Sequence, residues 1–320
     1  MHSLSIIIPV FNGEQWVDRC LQSIWSQSYT NFEVIVVNDG SEDHTLELLE
    51  KYKEEQRLRI FSIKNSGVVI ARSYGIQQAS SDYLYFLDID DFLSPDALKK
   101  IMEIAIDRQS EIVFSYMNVI CKTYNWTLKN KIIEKDKLSI LKSFLKGEIH
   151  TYIGGLLLKK DLIKYVHQNK NIIYGEDAIL LYTILLALPE IRLSILREPV
   201  YNYQLHAHNS SSSLNPKVVG SMYTFAKNVE NRFKDVGLWE ACHTELCAFR
   251  LRAWVVYCRS KGYYSSRKKF RYLFFKKYAK NTSLALIPFY QRIELILYTL
   301  YPRLGFLCTS AMKLINSLSK

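Results

Sequence analysis

Three acidic clusters in this chain have the residue types and spacing to do chemistry. Asp88, Asp90 and Asp91 fall within four residues, in Leu87-Asp88-Ile89-Asp90-Asp91. Carboxylates this close repel one another unless something cationic sits among them. Hard divalent ions bind such oxygens and also bridge phosphates. The bland alternative is a solvated acidic turn leading into a helix that starts at Ser94-Pro95-Asp96. The second cluster is Asn38-Asp39-Gly40-Ser41. Its Gly permits a tight turn and its Ser suits a helix cap, needs that an ordinary turn shares. A carboxylate at the end of a buried strand also accepts hydrogen bonds from a nucleobase or ribose. The third, Gly175-Glu176-Asp177, precedes an apolar run over 178–188. Acids there complement a helix dipole, or one of them acts as general base toward an attacking hydroxyl.

These clusters need elements to position them, and the first 120 residues supply strand and helix signals in alternation. Short β-rich runs fall at 5–8, closed by Pro9, and at 34–37, 58–63 and 83–87. Helical stretches are expected between them, at about 14–27, 42–55 and 68–79. In the first, Trp16, Cys20, Ile24 and Gln27 share one spacing. Such alternation predicts an α/β fold with a mainly parallel sheet, in which ligands bind beyond the carboxyl ends of the strands. The clusters at Asp39 and Asp88 fall at those ends. From 111 to 204 the pattern is less regular, with a β-rich run at 112–121, a helix near 138–146, an apolar run at 153–158 and a helix near 178–188. Beyond Asn215 the reading is mostly helical. The polar stretch 206–216, with its run of serines, is the expected boundary between a domain over 1–213 and an extension over 214–320.

Composition narrows the classes. The 320 residues are 48% hydrophobic and 23% charged, which excludes a disordered or collagen-like polymer. Six cysteines lack zinc-site spacing and are too sparse for a disulfide scaffold, so reduced thiols are expected. The net charge of +11 is unevenly placed. Residues 246–320 hold 15 Lys/Arg and one acid, Glu294, while the remainder sums to −3. The opening apolar run, with Pro9 and no basic leader, does not read as an export signal. No stretch has the length and apolarity of a spanning helix.

Five pieces of the sequence, in order, resemble the family 2 glycosyltransferases, an inverting group with the GT-A fold. They are Ser5-Ile6-Ile7-Ile8-Pro9-Val10-Phe11-Asn12; Cys20-Leu21-Gln22-Ser23-Ile24 with Gln27-Ser28-Tyr29; Glu33 through Ser41 with Asp43 and Thr45; Asn65-Ser66-Gly67 with Ala71-Arg72 and Gly75; and Phe86 through Asp91. The match is dense over 3–100 and thin to about 213. It departs where Ser73 replaces the usual Asn, where Val68-Val69-Ile70 replaces Leu-Ser-Ala, and where Gln204 stands in place of a basic residue. His206 or His208 is the candidate to replace that lost phosphate contact.

The resemblance implies a GT-A, Rossmann-like catalytic domain and an inverting, metal-dependent sugar transfer, hexosyltransferase in type. The donor is a nucleotide sugar, UDP first among nucleotides, and the acceptor a glycan or lipid-linked saccharide in surface polysaccharide synthesis. By position, Pro9, Phe11 and Asn12 would wall the nucleotide pocket, with Asp39 on base or ribose and Arg72 beside it or buttressing Asp39. Asp88 would lie near ribose and metal, and Asp90 would be the main ligand of Mg²⁺ or Mn²⁺. Asp91 would support this geometry or touch the donor sugar. Asp177 would be the base, oriented by Glu176. Asp39, Asp90 and Asp177 are thus expected to converge on one cation and one activated saccharide.

The basic end admits two readings. Its cations and interleaved rings suit nucleic acid; they also suit an anionic membrane surface, with rings and aliphatics inserted. The apolar runs at 284–290 and 295–301, too interrupted to span a bilayer, favour the membrane surface and make nucleic acid the weaker partner. Packing of this end on the core is a third, plainer reading. The expectation is a cytoplasmic protein, peripheral on the inner face of the membrane. Two other functions compete: a metal-dependent nucleotidyltransferase, whose Gly/Lys-rich loop is missing at Asn12-Gly13-Glu14, and a non-enzymatic basic nucleic-acid-binding protein.

Overall fold

The alternation becomes a nine-stranded sheet in the computed structural model, which describes residues 2–121, 124–130, 136–166, 176–206, 216–259, 275–280, 282 and 284–300. The first half runs β1 (Leu4–Val10), α1 (Val17–Trp25), β2 (Phe32–Asn38), α2 (Thr45–Glu50), β3 (Leu58–Ser62), α3 (Val68–Gln78) and β4 (Tyr83–Phe86). β1 pairs in parallel with β2 and β4, and β2 with β3. There follow β5 (Phe92–Leu93), α4 (Ala97–Asp107), β6 (Ile112–Ile120), β7 (Asn125–Leu128), β8 (Leu157–Lys159) and β9 (Leu193–Gln204). The sheet order is β3-β2-β1-β4-β8-β6-β9-β5, with β7 paired to β6. β8 is antiparallel to its neighbours β4 and β6, and β6 and β9 are parallel. The expected mainly parallel sheet is present.

β1 over 6–10 and β2 over 34–37 are continuously apolar because both faces are covered. Ile6, Ile8, Val34 and Val36 pack in one core with Cys20, Leu21 and Ile24 of α1 and Leu98, Ile101 and Met102 of α4. Ile7 on the opposite face meets α3 so closely that a Cβ on Gly75 would lie 2.7 Å from its Cγ2. Each such side chain contributes roughly 1.5–3 kcal/mol on full burial.

The first strand and the last depart most from the sequence reading. The first strand continues through Pro9 to Val10 rather than stopping at the proline. Ile7 accepts from Leu87 on the β4 side, and Val10 from Asp39 on the β2 side. By alternation, the N–H that Pro9 lacks would face the β4 side, where pairing with β1 ends at Ile7–Phe86. β9 is absent from the reading altogether. Its register against β6 shifts around Tyr116, opposite 196–201, which breaks the period-2 pattern. The apolar run at 153–158 yields only the short β8 at its end.

Glu33 ties the early strands together. Its Oε1 accepts from Ser5 Oγ, Ser80 N and Ser80 Oγ, each at 2.7 Å, and its Oε2 accepts from Arg59 at 3.1 Å. Burial acts to raise its pKa, but these hydrogen bonds win and leave it below the ordinary value. A carboxylate depressed in the folded state stabilises the fold above its unfolded pKa, and that contribution is lost as pH falls through the folded value. Glu33→Ala should therefore cost about 2–3 kcal/mol at neutral pH. The loss should shrink on acidification, as read from denaturation midpoints at neutral pH and near pH 3.

The chain packs into two compact units that are not contiguous segments: 1–132, 151–170 and 188–206 form one, and 133–150, 171–187 and 207–320 form the other. The first holds the sheet and α1–α4. The second is helical, with α5 (Lys137–Lys146), α6 (Glu176–Ala187), α7 (Pro216–Asp235), α8 (His243–Arg259) and α9 (Phe289–Leu300). α5 starts at an Asp136 cap that accepts from Ser139 N at 3.0 Å and ends at Gly147 with φ 77°. Cys247, Leu251, Trp254 and Cys258 of α8 form a core with Leu295 and Tyr298 of α9 and with Tyr278. In the same unit the buried Glu230 carboxylate accepts from Lys234 and Tyr278 and pairs with Arg250, at 2.7, 2.9 and 3.0 Å. Among the described residues no helix is long and apolar enough to cross a membrane.

Candidate active site

The loops at the carboxyl ends of β1, β2 and β3 are bonded to one another, α3 ties them to the loop after β4, and together they carry the first two acidic clusters picked out in the sequence. After β1 the chain turns at Asn12, which takes φ 51°, a left-handed conformation that Asn tolerates. Its Oδ1 accepts from Glu42 N at 2.8 Å, and its own N–H donates to Ser41 Oγ at 3.0 Å. Pro9 is buried in the strand, and Phe11 stands 47% exposed beside this turn.

Asp39 is buried at the end of β2. Its Oδ1 accepts from Ser66 N at 2.7 Å and its Oδ2 from Gly67 N at 2.8 Å, so it holds the N-terminus of α3. The two loops approach so closely that a Cβ on Gly40, at φ +71°, would lie 2.8 Å from Asn65 N. Five residues into α3, the buried Arg72 donates from Nη2 to Asp88 Oδ1 at 2.7 Å. Asp39 and Asp88 are thus linked through α3, and Arg72 sits against the acids that follow β4.

Those acids are braced from β9. Tyr201 Oη donates to Asp91 Oδ2 and accepts from Asp88 N at 3.3 Å, while Gln204 N donates to Asp91 Oδ1 at 2.8 Å. The Tyr201 ring lies on Gly155, at φ +77°, and on Gly154, where an added Cβ would lie 2.7 Å from the hydroxyl oxygen. Asp91 is only 1% exposed and both its oxygens accept from the protein. Of the two roles expected for it, supporting the turn is the one its bonds perform. Burial first, then Asp90 and Asp88, pushes its pKa well above the usual carboxylate range.

Asp90 has a different partner. His206 Nε2 lies 2.9 Å from its Oδ2, and the imidazole stacks on Trp16 with centroids 5.1 Å apart. Burial and then the charge of Asp88 raise the Asp90 pKa, with His206 opposing. Arg19 of α1 locks the same corner. It donates to Asp90 O at 2.6 Å and to Gln204 Oε1 at 3.1 Å, with its guanidinium 4.7 Å from the ring centres of both Trp16 and Phe92. Gln204, expected as a lost basic contact, is therefore joined to a cation supplied by α1.

Trp16, Arg19 and Tyr201 are the residues that sequence reasoning missed at this site. Trp16 was legible only as part of a helix face. Arg19 meets partners 71 and 185 positions away, and Tyr201 sits on the strand that went unread. His206 is brought to Asp90; His208 lies outside the described residues. Asp177 stands half-buried in the first turn of α6, in the helical unit, next to Glu176.

A divalent cation fits the acidic turn by chemistry. Asp88 and Asp90 are hard oxygen donors held at one turn, and burial of clustered negative charge there is what raises the Asp90 pKa. Among the described residues no group of three or more His, Cys, Asp or Glu side chains could hold a metal by itself. Asp90 and Asp88 would be the protein's share, with phosphate oxygens and water completing the set.

With this geometry in place, comparison with known proteins is informative. The model of Glycosyl transferase family 2 matches residues 5–166, just over half of the chain. Over 213 residues the chain is 24% identical to EpsH of Bacillus subtilis, covering 64% of this chain and 61% of that one. Over 246 residues it is 27% identical to the minor teichoic acid biosynthesis protein GgaB of Bacillus subtilis, covering 73% of this chain but 27% of GgaB. Among solved structures, residues 1–349 of S. aureus TarS superpose with a TM-score of 0.64 at 18% identity, over 96% of this chain and 88% of that one. That likeness is one of fold.

Proposed function

The chain belongs to glycosyl transferase family 2, and from that membership we propose that it transfers a sugar, with inversion, from a nucleotide-sugar donor to a glycan or lipid-linked acceptor in surface polysaccharide synthesis. UDP is the first nucleotide to test, because TarS has been solved with UDP and with UDP-GlcNAc. The relation to a teichoic acid biosynthesis protein supports the polysaccharide side of the reading.

One observation carries the proposal: the loops after β1, β2 and β3 are hydrogen-bonded together, and Arg72 of α3 joins them to the loop after β4, in a single rim that holds Asp39, Asp88 and Asp90. In parallel sheets this rim is where nucleotides bind. Pro9, Phe11 and Asn12 line its β1 side. Asp39 already accepts one backbone N–H on each oxygen and keeps further lone pairs for a base or ribose. Arg72 holds Asp88 in place. Asp90, with Asp88, would bind Mg²⁺ or Mn²⁺, which when present neutralises charge on the departing nucleoside diphosphate. Asp91, Tyr201 and Arg19 fix the turn that presents these two carboxylates. Asp177 would take the proton of the acceptor hydroxyl as it attacks C1 from the face opposite the diphosphate, a single displacement that inverts the anomeric centre.

The full chain, incubated with Mn²⁺ and a panel of nucleotide sugars, should release nucleoside diphosphate slowly from at least one of them without added acceptor. Release from none, with or without a mixed glycan acceptor, would reject the reading.

A further inference from the structure

The sequence from 246 to 320 carries 15 Lys/Arg and one acidic side chain, Glu294. That one carboxylate is fully buried on the inner side of α9. No acidic side chain of this stretch is therefore left to offset its cations at the surface. Three of those cations, Lys276, Lys277 and Lys280, are exposed, while Tyr278 between them enters the same core as Leu295 and Tyr298 of α9.

The outer side of α9 is apolar. Phe289, Ile293, Ile296 and Leu300 are 72%, 40%, 46% and 47% exposed. Their spacing of i, i+4, i+7 and i+11 puts all four on one narrow face, within roughly 60° of arc on a helical wheel. Tyr290, 48% exposed, lies beside it. Of the 13 large hydrophobic residues exposed among the described residues, five are on this one helix. Leu295, Tyr298 and Thr299 face inward. The helix thus packs one side on α8, and its exposed apolar side has no partner among the described residues.

We propose that this outer face of α9 is a docking surface for an anionic lipid bilayer, with Phe289, Ile293, Ile296 and Leu300 entering the headgroup boundary and exposed cations of the basic end, Lys276, Lys277 and Lys280 among them, meeting acidic headgroups. Charge selects this occupant. Pairing of two copies through α9 would bring basic surfaces together, which like charge opposes. Nucleic acid would satisfy the lysines and could stack on Phe289 and Tyr290, but it leaves Ile293, Ile296 and Leu300 unexplained, because Ile and Leu offer no ring for stacking. A bilayer takes both features, the exposed cations being drawn to acidic headgroups while the apolar side chains insert. The inference stands apart from the sugar-transfer reading, since it uses no residue of the acidic rim.

The test is co-flotation of the full chain with vesicles of phosphatidylcholine alone or mixed with phosphatidylglycerol. Wild-type protein should float with the mixed vesicles, and strong salt should weaken this without abolishing it. Phe289→Ser, Ile293→Ser and Ile296→Ser together should lower partitioning about tenfold or more while leaving nucleoside diphosphate release in vesicle-free buffer unchanged. A second variant, Lys276→Glu with Lys277→Glu, should remove the preference for phosphatidylglycerol without touching the stripe. Flotation of both variants at the wild-type level would overturn the proposal. So would failure of the wild type to bind either vesicle, or retention on nucleic acid but not on vesicles. A dimer that the serine variant dissociates while vesicle binding persists would also overturn it and assign the face to self-association.

Discussion

Asp90→Asn should reduce sugar transfer by about a thousandfold or more while leaving the protein folded. The size follows from the role: stabilising charge on a departing diphosphate through a bound cation is worth several kcal/mol, and each 1.4 kcal/mol is a factor of ten in rate. An amide is a poor ligand for a hard divalent ion beside a carboxylate. The fold has no reason to fail. Asn keeps an oxygen that accepts from His206, and the substitution relieves the repulsion between Asp90 and Asp88. Nucleoside diphosphate release and a melting curve on the same sample separate the two effects. Normal turnover by the variant would place the cation on other residues.

The second large effect concerns the base. Asp177→Asn should keep donor binding and lose transfer by about 10²–10⁴-fold, the range of a missing general base. Asn is a fair residue in a first helical turn, and the loss of favourable charge at the α6 N-terminus costs only about 0.3–1 kcal/mol. Donor protection measured beside acceptor-dependent transfer distinguishes a lost base from a lost fold. Persistent transfer would mean that another carboxylate takes the proton.

Much of the acidic rim was legible in the sequence because its parts are local. Asn38-Asp39-Gly40-Ser41 and the run from Leu87 to Asp91 follow immediately on apolar strands, and strand ends are where a parallel sheet exposes function. The bracing was not legible, because it is long-range. Tyr201 reaches Asp91 across 110 residues and Arg19 reaches Gln204 across 185. Pro9 misled as a strand terminator, since its missing donor faces a side of β1 where the neighbouring strand has already ended. β9 escaped because its register shift against β6 spoils the alternation on which strand reading depends. In the helical unit, composition made the basic excess plain. That Glu294 lies buried while Phe289, Ile293, Ile296 and Leu300 face outward needed coordinates.

The most direct measurement is thermal unfolding of the wild type and of Asp90→Asn against a panel of nucleotide sugars, with Mn²⁺ or with chelator. A ligand at a hundred times its Kd stabilises the folded state by about 2.7 kcal/mol. The account predicts that at least one uridine-linked or related donor raises the wild-type midpoint, that chelator removes most of the rise, and that Asp90→Asn shows little of it. No rise with any donor, or an equal metal-dependent rise in the variant, would contradict it.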